Sequence, residues 1–595
     1  MKNKIKLVTF CCATALGSIS IANAAVFPGA PAVSVLGSII VNPYGNAPLT
    51  AIIGRNSKHL SDISVKVHGK GKNGVPIEYD VGPTMLTRHD GIPVFGLYAG
   101  HKNKVSVTYT LDGKSKTETH EVYTSPLKAD AIDNRNLSIF HEVKVKEVKE
   151  GFEDRLYLVN SHSYLPQGAD VNWTAPSMGG ELSADGAISM GSATFDMVPM
   201  LYIVDTQGEY RWWMERDAVH DYRGHDLEKR GYFMGINETK DGLFTYVQGQ
   251  RFGLFDLMGR FKSNPLPRGY ADTTHAMFPM ENGNFLVRAS KQNYRNPEGD
   301  LVHTVRDHIL EVSPHGDLVD VWVLPEILDP YRDALLYALD MGAVCANVDM
   351  DRIGETMDSF ETDAPYGDLA GIGAGRNWAH VNSISHDPSD DSIILSLRHQ
   401  GNVKIGRDKE VKWILAPREG WTGKFADKVL TPVDANGKPI NCTVKGKCEG
   451  DFDFTYTQHT TWLSSKGTIT SLDNGDGRWH EQPVMPTDKW TRVVEYKVNE
   501  EDMTVEQIWE YGKERGYEWY SPITSNTEYR PDRDTMFSFN GSIQLFEPGK
   551  PTIGRFNEID YKTKEVMVEI DVYSEKANQT HYRGVLVTPQ SLFGF

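Results

Sequence analysis

Cysteine is scarce in this sequence: five residues in a chain of 595, two of which, Cys11 and Cys12, sit inside an N-terminal leader. That scarcity excludes a disulfide-stapled scaffold, which needs many cross-links to replace a core too small to hold itself together. Cys442 and Cys448 bracket a short polar loop, and no second Cys or His pair accompanies them at zinc-finger spacing. In an oxidising compartment this pair reads as a disulfide, with two free thiols as the alternative. Cys345 is left over and reads as buried and inert. Clustered Lys and Arg are missing as well. With 62 basic against 80 acidic residues and a formal charge of −18, the chain lacks the surface that neutralises nucleic-acid phosphates. Beyond the leader no apolar run is long enough to span a bilayer. Helical periodicity is sparse, and residues 329–340 are the best short helix candidate.

What is present is the composition of a folded protein, 39% apolar and 24% charged, at a length that implies a large repeat domain plus a smaller one. Residues 1–24 read as a secretory signal: Lys2, Lys4 and Lys6 precede an apolar run, and Ala22, Asn23 and Ala24 form a small-x-small cleavage site. The mature chain then starts at Ala25 in an exported compartment, the periplasm if the cell is Gram-negative. Residues 25–125 hold short alternating strands separated by turns rich in Gly, Asn and Asp, the pattern of a small β-sandwich. Residues 126–140 read as a linker.

From 141 to 595 one phrase recurs: a strand, a turn with Asp or Gly, and a second strand often ending in Trp or Phe. Copies lie at 201–213, 253–261, 308–322, 411–420, 492–509 and 557–570. These read as outer hairpins of a six-bladed β-propeller, so the fold class expected is all-β. Insertions at 327–376 and 417–454 then decorate the scaffold, where binding and catalytic residues commonly gather.

A second phrase places a histidine ahead of a polar turn and an apolar strand. His275 stands eight residues before Gly283, His459 eight before Gly467, and His380 precedes a longer turn. Equivalent positions in a radial repeat occupy equivalent points around the axis, so these three histidines converge on one place. The same register carries Met234 and Arg533. Arg398 ends the apolar strand paired with that of His380, where period-two alternation puts it on the side of His380 and Asn382. Guanidinium forks suit tetrahedral oxyanions. Phe195 and Tyr232 lie near inner-hairpin starts and are candidates for stacking on a planar ligand. Other chemistry-bearing motifs are absent: there is no Gly-x-x-x-x-Gly-Lys-Ser/Thr phosphate loop, no Cys-x-Pro-x-Arg sequence and no Gly-x-Ser-x-Gly elbow. Asp349–Asp351 and Asp473–Asp476 read as solvated turns, not calcium loops.

With the leader, the sandwich, the six-fold repeat and the phrases around His275, His380 with Asn382, Arg398 and His459, the sequence closely resembles the bacterial arylsulfate sulfotransferases over the whole mature chain. The resemblance implies transfer of a sulfuryl group from an aryl sulfate donor to a phenolic acceptor without a nucleotide and without a cofactor. It implies that His459 is the nucleophile, transiently sulfated in a ping-pong cycle. His275, His380, Asn382 and Arg398 would bind the sulfate and assist transfer, and the enzyme would be a periplasmic homodimer.

The residue types suit that chemistry. A neutral imidazole is a good nucleophile near pH 7 and needs no metal. An arginine and imidazoles stabilise charge on the equatorial oxygens and on the departing phenolate. An incoming phenol must lose its proton, and His275 or His380 is the expected acceptor. Two other readings stay open at this point. Three histidines with an open position also describe a metal-dependent hydrolase, and a propeller can simply bind an anionic ligand.

Overall fold

Alternation with a period of two decides the first hundred residues. In Ser61–Val67, Ile63, Val65 and Val67 point inward between exposed or half-exposed neighbours, and in Lys102–Leu111 the same alternation buries Val105, Val107 and Tyr109. The computed structural model describes residues 35–127, 140–164, 197–220, 229, 231–297, 299–339, 371–481, 486–545, 547–575 and 579–595. The leader, Phe195, Cys345 and the turn at 349–351 lie outside the described residues.

A three-stranded sheet (Leu36–Val41, Thr50–Arg55, Ile92–Phe95) and a four-stranded sheet (Ile77–Val81, Ser61–Val67, Lys102–Leu111, Lys114–Tyr123) form the N-terminal unit. Ile53, Val65, Val94 and Val107 are fully buried, each burial stabilising by about 1.5–3 kcal/mol. Arg211 ties this unit to the rest of the chain. Its guanidinium donates to the carbonyls of Val75 and Gly96 while pairing with Asp205 at 2.9 Å. The C-terminal segment Pro589–Phe593 also packs on it, with the Phe593 ring stacked on Tyr79 at 4.7 Å.

Six further sheets follow one another as propeller blades. The first pairs Leu156–Tyr164, Met197–Asp205 and Tyr210–Trp213 with the last strand of the chain, Gln579–Val587. The second holds Phe244–Gln248, Arg251–Phe255 and Phe261–Pro265, with a bridge from Val247 to Met234. Met277–Pro279, Phe285–Lys291, His308–Val312 and Leu318–Val323 belong to the third, and Val381–Asp387, Ser392–Leu397, Gly401–Ile405 and Val411–Leu415 make the fourth. The fifth contains His459–Leu463, Ile469–Asp473, Arg492–Asn499 and Thr504–Tyr511. The sixth contains Asn526–Arg530, Thr535–Ile543, Ile553–Asp560 and Val566–Tyr573, and its outer edge is covered by Glu142–Val148 from the start of the repeat. Exchanging strands between the two ends of the chain removes edges that would otherwise template pairing with other molecules.

Asparagine side chains stitch the seams. Asn160 donates to Phe233 O between the first and second blades, and Asn237 to Met277 O between the second and third. Asn382 donates to Gln458 O, Asn474 to Ser521 O and Asn526 to Gly584 O across the later seams. At the seam between the third and fourth blades stands an edge-on pair of rings instead, His275 and His380, with centroids 5.2 Å apart.

Two local expectations change. Of residues 329–340, only Leu336–Ala338 forms a 3-10 turn; the described remainder is not helical. Pro330 explains part of this, because it restrains Asp329 to extended backbone. The phrase at 411–420 supplies one strand, Val411–Leu415, whose hairpin partner Gly401–Ile405 precedes it. The insertion that follows sends Thr431–Val433 to the fifth blade as a parallel edge strand, a long-range pairing with no local signal.

Candidate active site

Each of the three histidines sits where an inner strand begins, and two sit there in an unusual backbone conformation. His275 has φ 68° and His380 φ 50°. Non-glycine residues in this left-handed region cost about 1–3 kcal/mol each and persist only where the surroundings over-determine them. The surroundings do so through Nδ1. A guanidinium can only donate, so Arg288 Nη2 at 2.6 Å makes His275 Nδ1 an acceptor, with the Thr274 hydroxyl at 2.5 Å beside it. The Asn377 amide likewise donates to His380 Nδ1 at 2.9 Å. In the neutral ring the proton therefore sits on Nε2 in both residues, and both present an N–H donor.

His459 is wired the opposite way. Its Nδ1 lies 2.7 Å from Asn474 Oδ1. The orientation of that amide is settled by its other end, where Asn474 Nδ2 faces two carbonyl oxygens, Ser521 O at 2.7 Å and Thr524 O at 3.3 Å. With its nitrogen committed to these acceptors, Asn474 can only accept from His459. The His459 proton is held on Nδ1, and the lone pair is on Nε2.

Burial and nearby arginines keep all three rings neutral. The His459 pKa falls to about 3, first through burial and then through the charges of Arg398 and Arg583, against the opposing bond to Asn474. His275 is driven well below its usual value by burial and by Arg288, Arg306, His459 and Arg583. Burial, His399, His275, Arg306 and Arg398 do the same to His380. These mutual influences bring His275, His380, His459 and Arg398 into one neighbourhood.

Around them, the backbone N–H of Arg398 donates to His380 O at 3.1 Å and its side chain is buried. Asn382 is held by its bond to Gln458 O, and among the described residues its Oδ1 meets no donor. Tyr582 stands edge-on to His275 with centroids 5.5 Å apart. A cluster of buried positive charge inside a chain of net charge −18 is a place for an anion, and neutral imidazoles among arginines can both donate to it and attack it.

Arg533 is not at the site: it pairs with Asp154 at 2.7 Å and lies over the Phe152 ring in a surface cluster. Its turn, just before Thr535–Ile543, is at the outer end of its hairpin, so register along the sequence did not translate into position along the axis. Tyr232 is buried in one core cluster with Tyr582, the ring that stands edge-on to His275, and is itself edge-on to His162. Cys442 and Cys448 face one another across an antiparallel bridge with their sulfurs 2.07 Å apart. Their loop packs on Tyr456, whose hydroxyl donates to Lys445 O at 3.0 Å, three residues before His459.

The hydrolase reading needs three ring nitrogens converging as ligands. Among the described residues the three histidines do not form such a group; Asp387, Asp390 and Glu500 do, and Lys404 occupies their midst with an ion pair to each. Neither set fits a catalytic metal.

Sequence reasoning missed Arg288, Asn474, Tyr582 and Arg583. Arg288 carries a usable signal, since an arginine that follows an apolar run in a strand is rarely buried without a partner. Asn474 carries none, because it follows its strand in a turn whose partner is set only by the fifth and sixth blades meeting.

Residues 141–583 match the family described as arylsulfotransferase (ASST), and residues 38–125 match its Ig-like domain. An arylsulfate sulfotransferase AssT from Escherichia coli O6:H1 is 56% identical over 572 residues, covering 96% of each chain. A second protein of that name, from Lelliottia amnigena, is 54% identical with the same coverage. Among solved structures, a protein of unknown function from Bacteroides caccae overlaps 73% of this chain and 98% of its own at 10% identity and a TM-score of 0.34, too distant to bear on the site.

Proposed function

The chain belongs to the arylsulfotransferase family and is an arylsulfate sulfotransferase, and from that premise we propose that it works by two displacements, with His459 carrying the sulfuryl group between them. The observation that carries this reading is the opposite wiring of the histidines: His459 alone has its Nδ1 proton held by an acceptor, whereas His275 and His380 accept at Nδ1. Of the three, only His459 then offers a lone pair at Nε2.

In the first displacement His459 Nε2 attacks sulfur. The N–S bond forms as the ester S–O bond breaks, and the bonding pair leaves on the phenolate oxygen. In the second, a phenolate whose proton has gone to solvent attacks sulfur, the new S–O bond forms, and the N–S pair returns to Nε2. The Nε2–H groups of His275 and His380 and the guanidinium of Arg398 donate to the sulfuryl oxygens and to the phenolate. Each such donor is worth about 3 kcal/mol of transition-state stabilisation, roughly a hundredfold or more in rate. Donor roles for His275 and His380 replace the proton-acceptor role expected from residue type alone, because their basic nitrogens are already occupied.

The test is intact-protein mass after incubation with an aryl sulfate and no acceptor. The protein gains one SO₃, the gain is acid-labile and disappears on adding a phenol, and His459→Asn gains none. Sulfation persisting in that variant would exclude His459 as the carrier. Export by residues 1–24, a periplasmic location with an oxidised Cys442–Cys448 pair, and a homodimer complete the proposal. N-terminal sequencing, fractionation with thiol counting, and sedimentation check them in turn.

A further inference from the structure

Several buried arginines in this fold pair with carboxylates. Arg155 pairs with Glu558, Arg211 with Asp205, Arg478 and Arg492 with Asp473, and Arg555 with Asp571. Arg583 differs from these. It lies on Gln579–Val587, the strand that closes the ring, and is buried, 1% exposed. Its Nη2 donates to Asn382 O of the fourth blade at 3.2 Å. Among the described residues the Nε and Nη1 donors make no hydrogen bond of good geometry and no carboxylate pairs with the group, the Tyr582 side chain being its one polar neighbour with a felt charge. The Trp462 and Tyr582 rings flank it with centroids 5.3 and 5.4 Å from its carbon.

A guanidinium removed from water without a counter-ion is strongly disfavoured unless an anion completes it. Aromatic faces supply part of that compensation and fix the plane, but leave the donors unfilled. The location tells which anion. Arg583 reaches across from the first blade to the backbone of Asn382, and its charge is felt by both His275 and His459. We propose that Arg583 is a second arginine of the sulfate subsite: its unfilled donors take oxygens of the donor's sulfuryl group, while Nη2, on the Asn382 carbonyl, holds the guanidinium in place. This rests on the reading of His459 as the sulfur carrier. It assigns to the last strand of the chain a share in substrate binding besides closing the ring.

The probe is inorganic sulfate, with binding to the full-length protein followed by calorimetry, beside the melting temperature and the His459 sulfation mass. Arg583→Gln is expected to weaken sulfate binding roughly tenfold or more, as the loss of a charge-assisted bond implies. Arg583→Lys, which keeps the charge and loses the fork, recovers part of it. At high aryl sulfate both variants still gain mass on His459. A folded Arg583→Gln protein that binds sulfate as the wild type does, or a wild type that binds none, overturns the proposal. A lowered melting temperature with unchanged sulfate binding also overturns it, by making Arg583 a packing residue. Should Arg583→Gln not fold, the Arg583→Lys affinity decides alone: unchanged affinity overturns the proposal, and weakened affinity supports it. Absence of sulfated His459 in the wild type would instead defeat the carrier reading and leave the sulfate affinities to speak for Arg583.

Discussion

Asn474 is the residue on which the identity of the nucleophile turns, and replacing it separates the tautomer argument from simple proximity. In Asn474→Ala the His459 Nδ1–H loses its acceptor at 2.7 Å in a buried setting. A buried N–H left unsatisfied costs about 1–3 kcal/mol. The ring escapes that cost by moving its proton to Nε2, the tautomer with no lone pair facing sulfur. The reactive population then falls by roughly 5- to 150-fold, since about 1.4 kcal/mol is a factor of ten. The assay is single-turnover release of a chromogenic phenolate from an aryl sulfate without acceptor, which reads sulfation directly. Asn474→Asp keeps the acceptor and adds a negative charge, so it is expected to retain more activity than Asn474→Ala. Its signature is in pH. The wild-type His459 pKa lies near 3, so its titration leaves sulfation flat from pH 5 to 8; a carboxylate beside the ring raises that pKa and brings an acid limb towards neutrality. The reasoning fails if folded Asn474→Ala sulfates within twofold of the wild-type rate.

Acid should unfold the protein early. His89 and His581 are lowered by burial to about 4 and His162 and His459 to about 3, below an ordinary 6.5. A group depressed on folding contributes stability above its unfolded pKa and loses it as pH falls, about 2 kcal/mol each by pH 5. Four such groups approach the whole margin of a typical protein, about 5–15 kcal/mol, so denaturant midpoints measured at pH 7, 6 and 5 should drop steeply; a flat series contradicts the burial argument. Reducing Cys442–Cys448 should slow sulfation a few-fold by loosening the loop that packs on Tyr456, and unchanged kinetics after verified thiol release would show that support to be unnecessary.

Much of this enzyme is written locally. Alternation with a period of two is a property of neighbours, so the strands of the sandwich and most blade hairpins can be read without any knowledge of the fold. The spacing of His275 and His459 to their turn glycines is equally local, and radial repetition converts it into convergence. Arg533 shares that spacing and lies at the surface, because spacing does not say which end of a hairpin faces the axis. The parallel strand Thr431–Val433, the closing strand Gln579–Val587 and the seam asparagines depend on partners up to hundreds of residues away. The deciding features of the site are nearer in sequence, 13, 3 and 15 residues from their histidines, yet no residue pattern announces these bonds. Arg288, Asn377 and Asn474 set three identical side chains into two protonation patterns, and imidazole by itself prefers neither. Residue type and repetition thus determined that histidines meet beside arginine; only the folded geometry within each blade, and at Asn474 the meeting of the fifth blade with the sixth, decided which nitrogen of each is bare.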